Sequence, residues 1–102
     1  MAHIFVQSQN PLKQLKSVGF EKRTVSTSAV ALASIPATAT SALIVCESNA
    51  VRWRCDAAPT ATDGSPLAAN DSLFLDSRDA LLDAEFIRSG GADGTLQVVY
   101  FK

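Results

Sequence analysis

Apolar residues in this chain come in short runs, each closed off by Ser, Thr, Asn, Asp, Pro or Gly. Runs of that length with polar punctuation are the mark of strands, and their repetition points to an all-β sandwich or barrel. Seven runs qualify: FEKRTVS (20–26), AVALAS (29–34), ALIVCE (42–47), AVRWRC (50–55), SLFL (72–75), EFIRS (85–89) and TLQVVYF (95–101). They predict a compact antiparallel β-sandwich of about seven short strands, jelly-roll or Ig-like. IPATAT (35–40), with Pro36, is a connection, and DSRDALLDA (76–84) predicts a short helix capped by Asp76 with Leu81 and Leu82 turned inward.

The first 18 residues follow a different pattern. HIFV (3–6) suits a short strand or an extended arm, while in NPLKQLKSVG Asn10 suits an N-cap, Pro11 the first helical position and Gly19 a stop. Leu12 and Leu15 would share a helix face, with Lys13 and Lys16 beside them. The segment therefore reads equally as a short helix or as an arm that orders against a neighbouring chain. The division predicted is an arm or helix over 1–18 and one β-sandwich domain over 19–102.

ALIVCE and AVRWRC flank Ser48 and Asn49, which predicts a tight hairpin. In that register Ile44 opposes Trp53 and Cys46 opposes Val51, so Ala42, Ile44, Cys46, Val51, Trp53 and Cys55 share the core face. Arg52 and Arg54 then point outward beside Leu43 and Val45. Long arginine stems commonly cover half-exposed aliphatic side chains while their heads stay in water. The sharper reading is a contact face, since the planar guanidinium grips carboxylates of a neighbour. The same pairing would hold the two cysteines about 13 Å apart, beyond the roughly 7 Å that a disulfide spans, so free thiols are expected.

Composition narrows the function classes. The 102 residues suffice for one domain, 47% are hydrophobic and 19% charged, and the formal charge is −1, which gives no overall attraction to nucleic acid or to an anionic membrane. Residues 1–50 carry +2 and residues 51–102 carry −3, an asymmetry that reads either as ordinary surface charge, screened beyond about 8 Å at physiological salt, or as attraction between opposite ends of neighbouring copies. No run approaches the roughly 20 apolar residues of a membrane span, and MAHIFVQSQN lacks the pattern of a signal peptide.

Candidate chemistry is sparse. One histidine, His3, makes no Ser-His-Asp, Cys-His or multi-histidine metal arrangement, and Cys46 and Cys55 form no zinc-type pair of pairs. SGGADGTL is explained by a hairpin loop in which Gly90, Gly91 or Gly94 takes a positive φ, and the carboxylates Asp79, Asp83 and Glu85 by a solvated face. Lys13, Lys16, Lys22 and Arg23 lack interleaved aromatics for stacking bases. The expectation is a protein that is not an enzyme, uses no cofactor or metal and binds no nucleic acid.

TVSTSAVAL, ALIVCESNAVRWRCDAAPTATDGSPLAANDSL, FIRSG and TLQVVYFK together resemble small structural proteins of tailed-bacteriophage virions, over roughly the last three-quarters of the chain. The most specific element is VRWR followed by PTATDG. Cys55, and the lack of a glycine before Pro59, depart from that pattern. The resemblance implies a β-sandwich made in the host cytoplasm and carried in many copies on the virion, most simply a capsid decoration or cement protein. Its expected partners are the major capsid protein or other virion proteins, and it would be a homo-oligomer, of which a trimer suits a quasi-hexagonal shell. Arg52, Arg54, Lys13, Lys16, Leu12 and Leu15 are the candidate subunit or shell contacts. The alternative is a tail or receptor- and carbohydrate-binding module that uses loop 56–71 as its reader.

Overall fold

The computed structural model describes residues 15–102, which form eight strands and one short helix. In chain order these are β1 (Ser17–Val25), β2 (Val30–Ala31), β3 (Ser41–Ser48), β4 (Val51–Arg54), β5 (Ser65–Leu67), β6 (Ser72–Leu75), α1 (Arg78–Asp83), β7 (Glu85–Arg88) and β8 (Gly94–Phe101). The readings placed on residues 1–14, including the HIFV strand and the Asn10 cap, lie outside the described residues. β1 starts at Ser17, so Ser17 and Val18, assigned above to the arm or helix, belong to the sandwich.

Two antiparallel four-stranded sheets pack face to face, in the orders β1-β8-β3-β6 and β2-β7-β4-β5. The strand pairs β1/β8, β2/β7, β3/β6 and β4/β5 are those of one long hairpin, and its rolling adds the pairs β3/β8 and β4/β7. Such a rolled hairpin is a jelly roll, which decides between the two sandwich topologies the sequence left open.

The topology corrects the predicted hairpin. β3 and β4 are not hydrogen-bonded to each other; they lie in opposite sheets and the chain arches across the sandwich at Ser48 to Ala50. Asn49 makes the arch by adopting φ 55°, a left-handed conformation that asparagine tolerates. The inward set survives because an arch, like a hairpin, sends alternate side chains of both strands into one core. Ala42, Ile44, Cys46 and Val51 are fully buried, with Trp53 and Cys55 partly buried against them. Both cysteines are free.

β7 and β8 form a second arch where a hairpin was expected. Gly90, Gly91 and Gly94 do not take positive φ there; Gly64 does, at 142°. Gly94 is required for another reason, since a Cβ would lie 2.7 Å from Val51 Cγ1 and 2.9 Å from the Asn49 carbonyl. Asp93 ties the arches together. Its carboxylate accepts from Ser26 Oγ and Arg88 Nη1, both at 2.8 Å, and its carbonyl accepts from Asn49 Nδ2 at 2.9 Å.

The helix is capped by Ser77, not Asp76: Ser77 Oγ accepts from the Ala80 amide at 3.0 Å. Leu81 is fully buried, but Leu82 is 53% exposed, because neighbours one residue apart on a helix point about 100° away from each other.

Candidate functional site

Three places hold side chains whose arrangement goes beyond packing, and the arginine strand is the first. Arg52 and Arg54 do lie on an outer face, that of the second sheet, but their neighbours are not Leu43 and Val45, which belong to the other sheet. Arg52 opposes Ile87 on β7 and Pro66 on β5. Its Nε donates to the Ala61 carbonyl at 3.0 Å and its Nη1 to the Gly64 carbonyl at 2.9 Å. Arg54 grips Asp56 with two hydrogen bonds, at 2.8 and 2.7 Å. That fork, by its hydrogen bonds and positive charge, holds the exposed Asp56 carboxyl down at about 2.

Both guanidinium groups thus turn onto the chain's own β4–β5 connection. Among the described residues this connection is the one sequential hairpin within a sheet, and Arg52 fastens it from the outer face while Thr60 turns its tip, with Thr60 Oγ1 accepting from the Asp63 amide at 2.9 Å. Lys16 and Leu15 lie elsewhere, at the start of β1, where the backbones of Lys16 and Lys102 pair. Leu12 and Lys13 are outside the described residues. The structure therefore does not gather Arg52 and Arg54 with Lys16 and Leu15 into one surface.

The outer face of the first sheet is the second place, and no sequence signal had singled it out. Phe20, Val99, Leu43 and Phe74 stand in direct cross-strand register from β1 through β8 and β3 to β6. An apolar row therefore crosses all four strands. Phe74 also packs on Phe101 from the next row, ring centroids 6.5 Å apart and planes tilted by 48°. At the β1 end Phe20 is 59% exposed. In the row beyond, Lys22, Gln97, Val45 and Ser72 are aligned, and Gln97 Nε2 donates to Glu47 at 3.1 Å.

The third is a buried carboxylate that a strand pattern gives no means to find. Glu21 points inward from β1 and is only 7% exposed. It accepts from the Ala33 amide at 3.0 Å, from the Ser34 amide at 2.9 Å and from the Tyr100 hydroxyl. Burial, the Glu21 hydrogen bond and the Glu21 charge together push the Tyr100 phenol far above its ordinary value. The carboxylate fastens the β2–β3 connection to the first sheet, because that connection's amides at 33 and 34 have no strand partner.

Neither thiol is placed for nucleophilic work. Burial and then Asp71 raise Cys46; burial, then Asp83 and Asp56, raise Cys55, so both are disfavoured as thiolates. Among the described residues no group of three or more His, Cys, Asp or Glu side chains is positioned to hold a metal ion. Nor is any helix among them long and apolar enough to cross a membrane. No protein-family model, no curated protein and no solved structure matches this chain.

Proposed function

We propose that this chain is a structural protein of a tailed-bacteriophage virion, a decoration or cement subunit bound in many copies to the head shell through its surface. The observation that carries the reading is the outer face of the first sheet, where Phe20 is 59% exposed at the end of an apolar row whose Val99 and Phe74 are half-buried and whose Leu43 is buried. A large aromatic ring left exposed beside half-buried apolar neighbours supports a protein-binding face. The VRWR and PTATDG resemblance supplies the virion context. The rolled-hairpin architecture is shared by viral capsid domains, which supports the reading by analogy of fold alone.

Attachment to a lattice also suits a domain of this size, since a partner that binds only the folded form stabilises it by mass action. Arg52 and Arg54 enter this function indirectly, by fixing the shape of the loop beside them. The test is the protein inventory of purified particles. Stoichiometry comparable to the shell protein is expected; a few copies per particle would move the chain to the tail, and absence from particles would end the proposal.

A second reading has one observation in its favour. Lectin domains also use jelly rolls, and the loop over 56–64 is braced by Arg52 into a fixed shape at the sandwich rim. It carries no aromatic ring for a sugar to stack on. Binding on a glycan array by the isolated chain would favour this reading over the first.

A further inference from the structure

The chain contains two Asp-Gly pairs, Asp63 with Gly64 and Asp93 with Gly94. An aspartate followed by glycine can react with its own backbone, because no side chain shields the next amide nitrogen. That nitrogen attacks the protonated carboxyl at Cγ; an N–Cγ bond forms, and the amide proton and the carboxyl hydroxyl leave together as water. A five-membered succinimide results. Water then opens the ring on one side of the nitrogen or the other. Breaking the N–Cγ bond restores aspartate, while breaking the bond to the main-chain carbonyl leaves isoaspartate, in which the backbone runs through Cβ and Cγ. One water is lost and one is gained.

Cyclisation needs a carboxyl free to turn onto the glycine nitrogen and a backbone free to bend with it, and the fold denies both to Asp93. Asp93 Oδ1 accepts from Ser26 Oγ and Arg88 Nη1, both at 2.8 Å, and the Asp93 carbonyl accepts from Asn49 Nδ2 at 2.9 Å. The hydrogen bonds from Ser26 and then Arg88 lower the Asp93 carboxyl below its ordinary value, so the protonated form that reacts is scarce. Gly94 is buried in β8 opposite Val25, with Val51 and the Asn49 carbonyl so close that no Cβ would fit. Its backbone cannot bend without displacing β1 and the arch at Ser48 to Ala50.

Asp63 has the opposite surroundings. It is exposed at the tip of the β4–β5 hairpin, outside any strand, and β5 beyond it is a three-residue edge strand. Its Oδ2 accepts from Thr60 Oγ1 across a long 3.3 Å, and Thr62 Oγ1, 3.4 Å from the same hydroxyl, competes for that proton. Arg54, whose charge Asp63 feels, directs its Nε and Nη2 to Asp56 instead. Gly64 takes φ 142°, which residues with a side chain rarely adopt, so the turn itself dictates the glycine that makes Asp63 reactive.

We propose that Asp63 is a site of spontaneous isoaspartate formation, and that the fold shields Asp93, in the same dipeptide, from the same reaction. The consequence reaches beyond one residue. Asp63 lies between Ala61 and Gly64, whose carbonyls accept from Arg52, so an added main-chain carbon there takes the two acceptors out of register with one guanidinium. The loop at the sandwich rim loses its brace as the molecule ages. Nothing in this chemistry depends on attachment to a particle.

Peptide mapping of the full chain, aged in mildly acidic buffer at physiological temperature, tests this; heavy-oxygen water makes each ring opening mark its residue by mass. Isoaspartate should accumulate at Asp63 about tenfold or more faster than at Asp93, where two charge-assisted hydrogen bonds must open first. In the urea-unfolded chain the two sites should react at similar rates. Asp63→Glu, which would need a six-membered ring, should leave that peptide unmarked. The isolated isoaspartate form should show quicker amide exchange over residues 56–64. Equal rates at the two sites in the folded chain, no product at Asp63, a preference that persists in urea, or a mark that survives Asp63→Glu would overturn the proposal. Unchanged exchange over 56–64 in the isoaspartate form would overturn its link to Arg52.

Discussion

Removing one oxygen atom, by Tyr100→Phe, probes the buried carboxylate directly. The ring stays in place and the core volume is kept, while Glu21 loses the hydroxyl and retains only the Ala33 and Ser34 amides. A hydrogen bond to a charged group contributes about 1.5–3 kcal/mol, so a loss of about 2 kcal/mol is expected near pH 7. In a domain of this size that lowers the melting temperature by about 8–16 °C. The effect depends on pH with a definite sign. The folded protein raises the Tyr100 pKa above the ordinary value of about 10, so it favours the protonated phenol. That contribution is complete below about pH 10 and is lost as pH rises from there toward the folded-state value. At about pH 11 the wild type should have given up about 1.4 kcal/mol that the phenylalanine variant does not, narrowing the gap to under about 1 kcal/mol. Urea unfolding of both proteins at the two pH values measures the gap. Tyr100 is the chain's one tyrosine, so tyrosinate absorbance follows its ionisation without interference from another phenol. A midpoint near 10 in the folded protein, or a gap that stays constant between the two pH values, would refute the reasoning.

Two further predictions concern the arginine strand. Arg52→Ala removes both side-chain hydrogen bonds to the Ala61 and Gly64 carbonyls, so amide exchange should quicken across residues 56–64 and stability fall by about 1–2 kcal/mol with the fold intact. Unchanged exchange in that loop would show that the arginine does not brace it. Asp56, held at about 2, should keep its pair with Arg54 as pH falls past the ordinary value of about 3.9 and release it only near the lower value. Arg54→Ala should bring the Asp56 midpoint back toward about 3.9 in an NMR carboxyl titration, and no movement would mean that the fork is not the cause.

Strand positions were legible because a period of two requires only the order of residues: SLFL was placed to the residue, and ALIVCE and TLQVVYF each within one. Pairing was not. Alternation tells which side chains face the core, and an arch and a hairpin both satisfy it, so Ile44 and Val51 were put inside by an argument whose hydrogen-bonding partners were wrong. β5 escaped notice because three residues including Pro66 carry no apolar run, and Pro66 is accommodated there because β5 is an edge strand. Glu21 sits in a stretch that reads as charged surface, and only the three donors that converge on it explain its burial. The cross-strand neighbour of Arg52 is not an aliphatic residue of the preceding strand but Ile87, 35 positions away in sequence. The apolar row was beyond reach for the same reason, since its members come from four strands whose order the sequence does not print.

The rolled hairpin sets a constraint on biosynthesis. β8 is last in chain order yet bonds to both β1 and β3, so the first sheet has no middle until residue 101 has left the ribosome. Until then β1 and β3 have nothing to dock between them, and the nascent polypeptide must wait with apolar strands open, the slow regime expected where pairing spans most of the sequence. Trimming the last few residues should therefore cost solubility during expression far more than their number suggests, and a chaperone that holds the unfinished chain would be most useful in that interval.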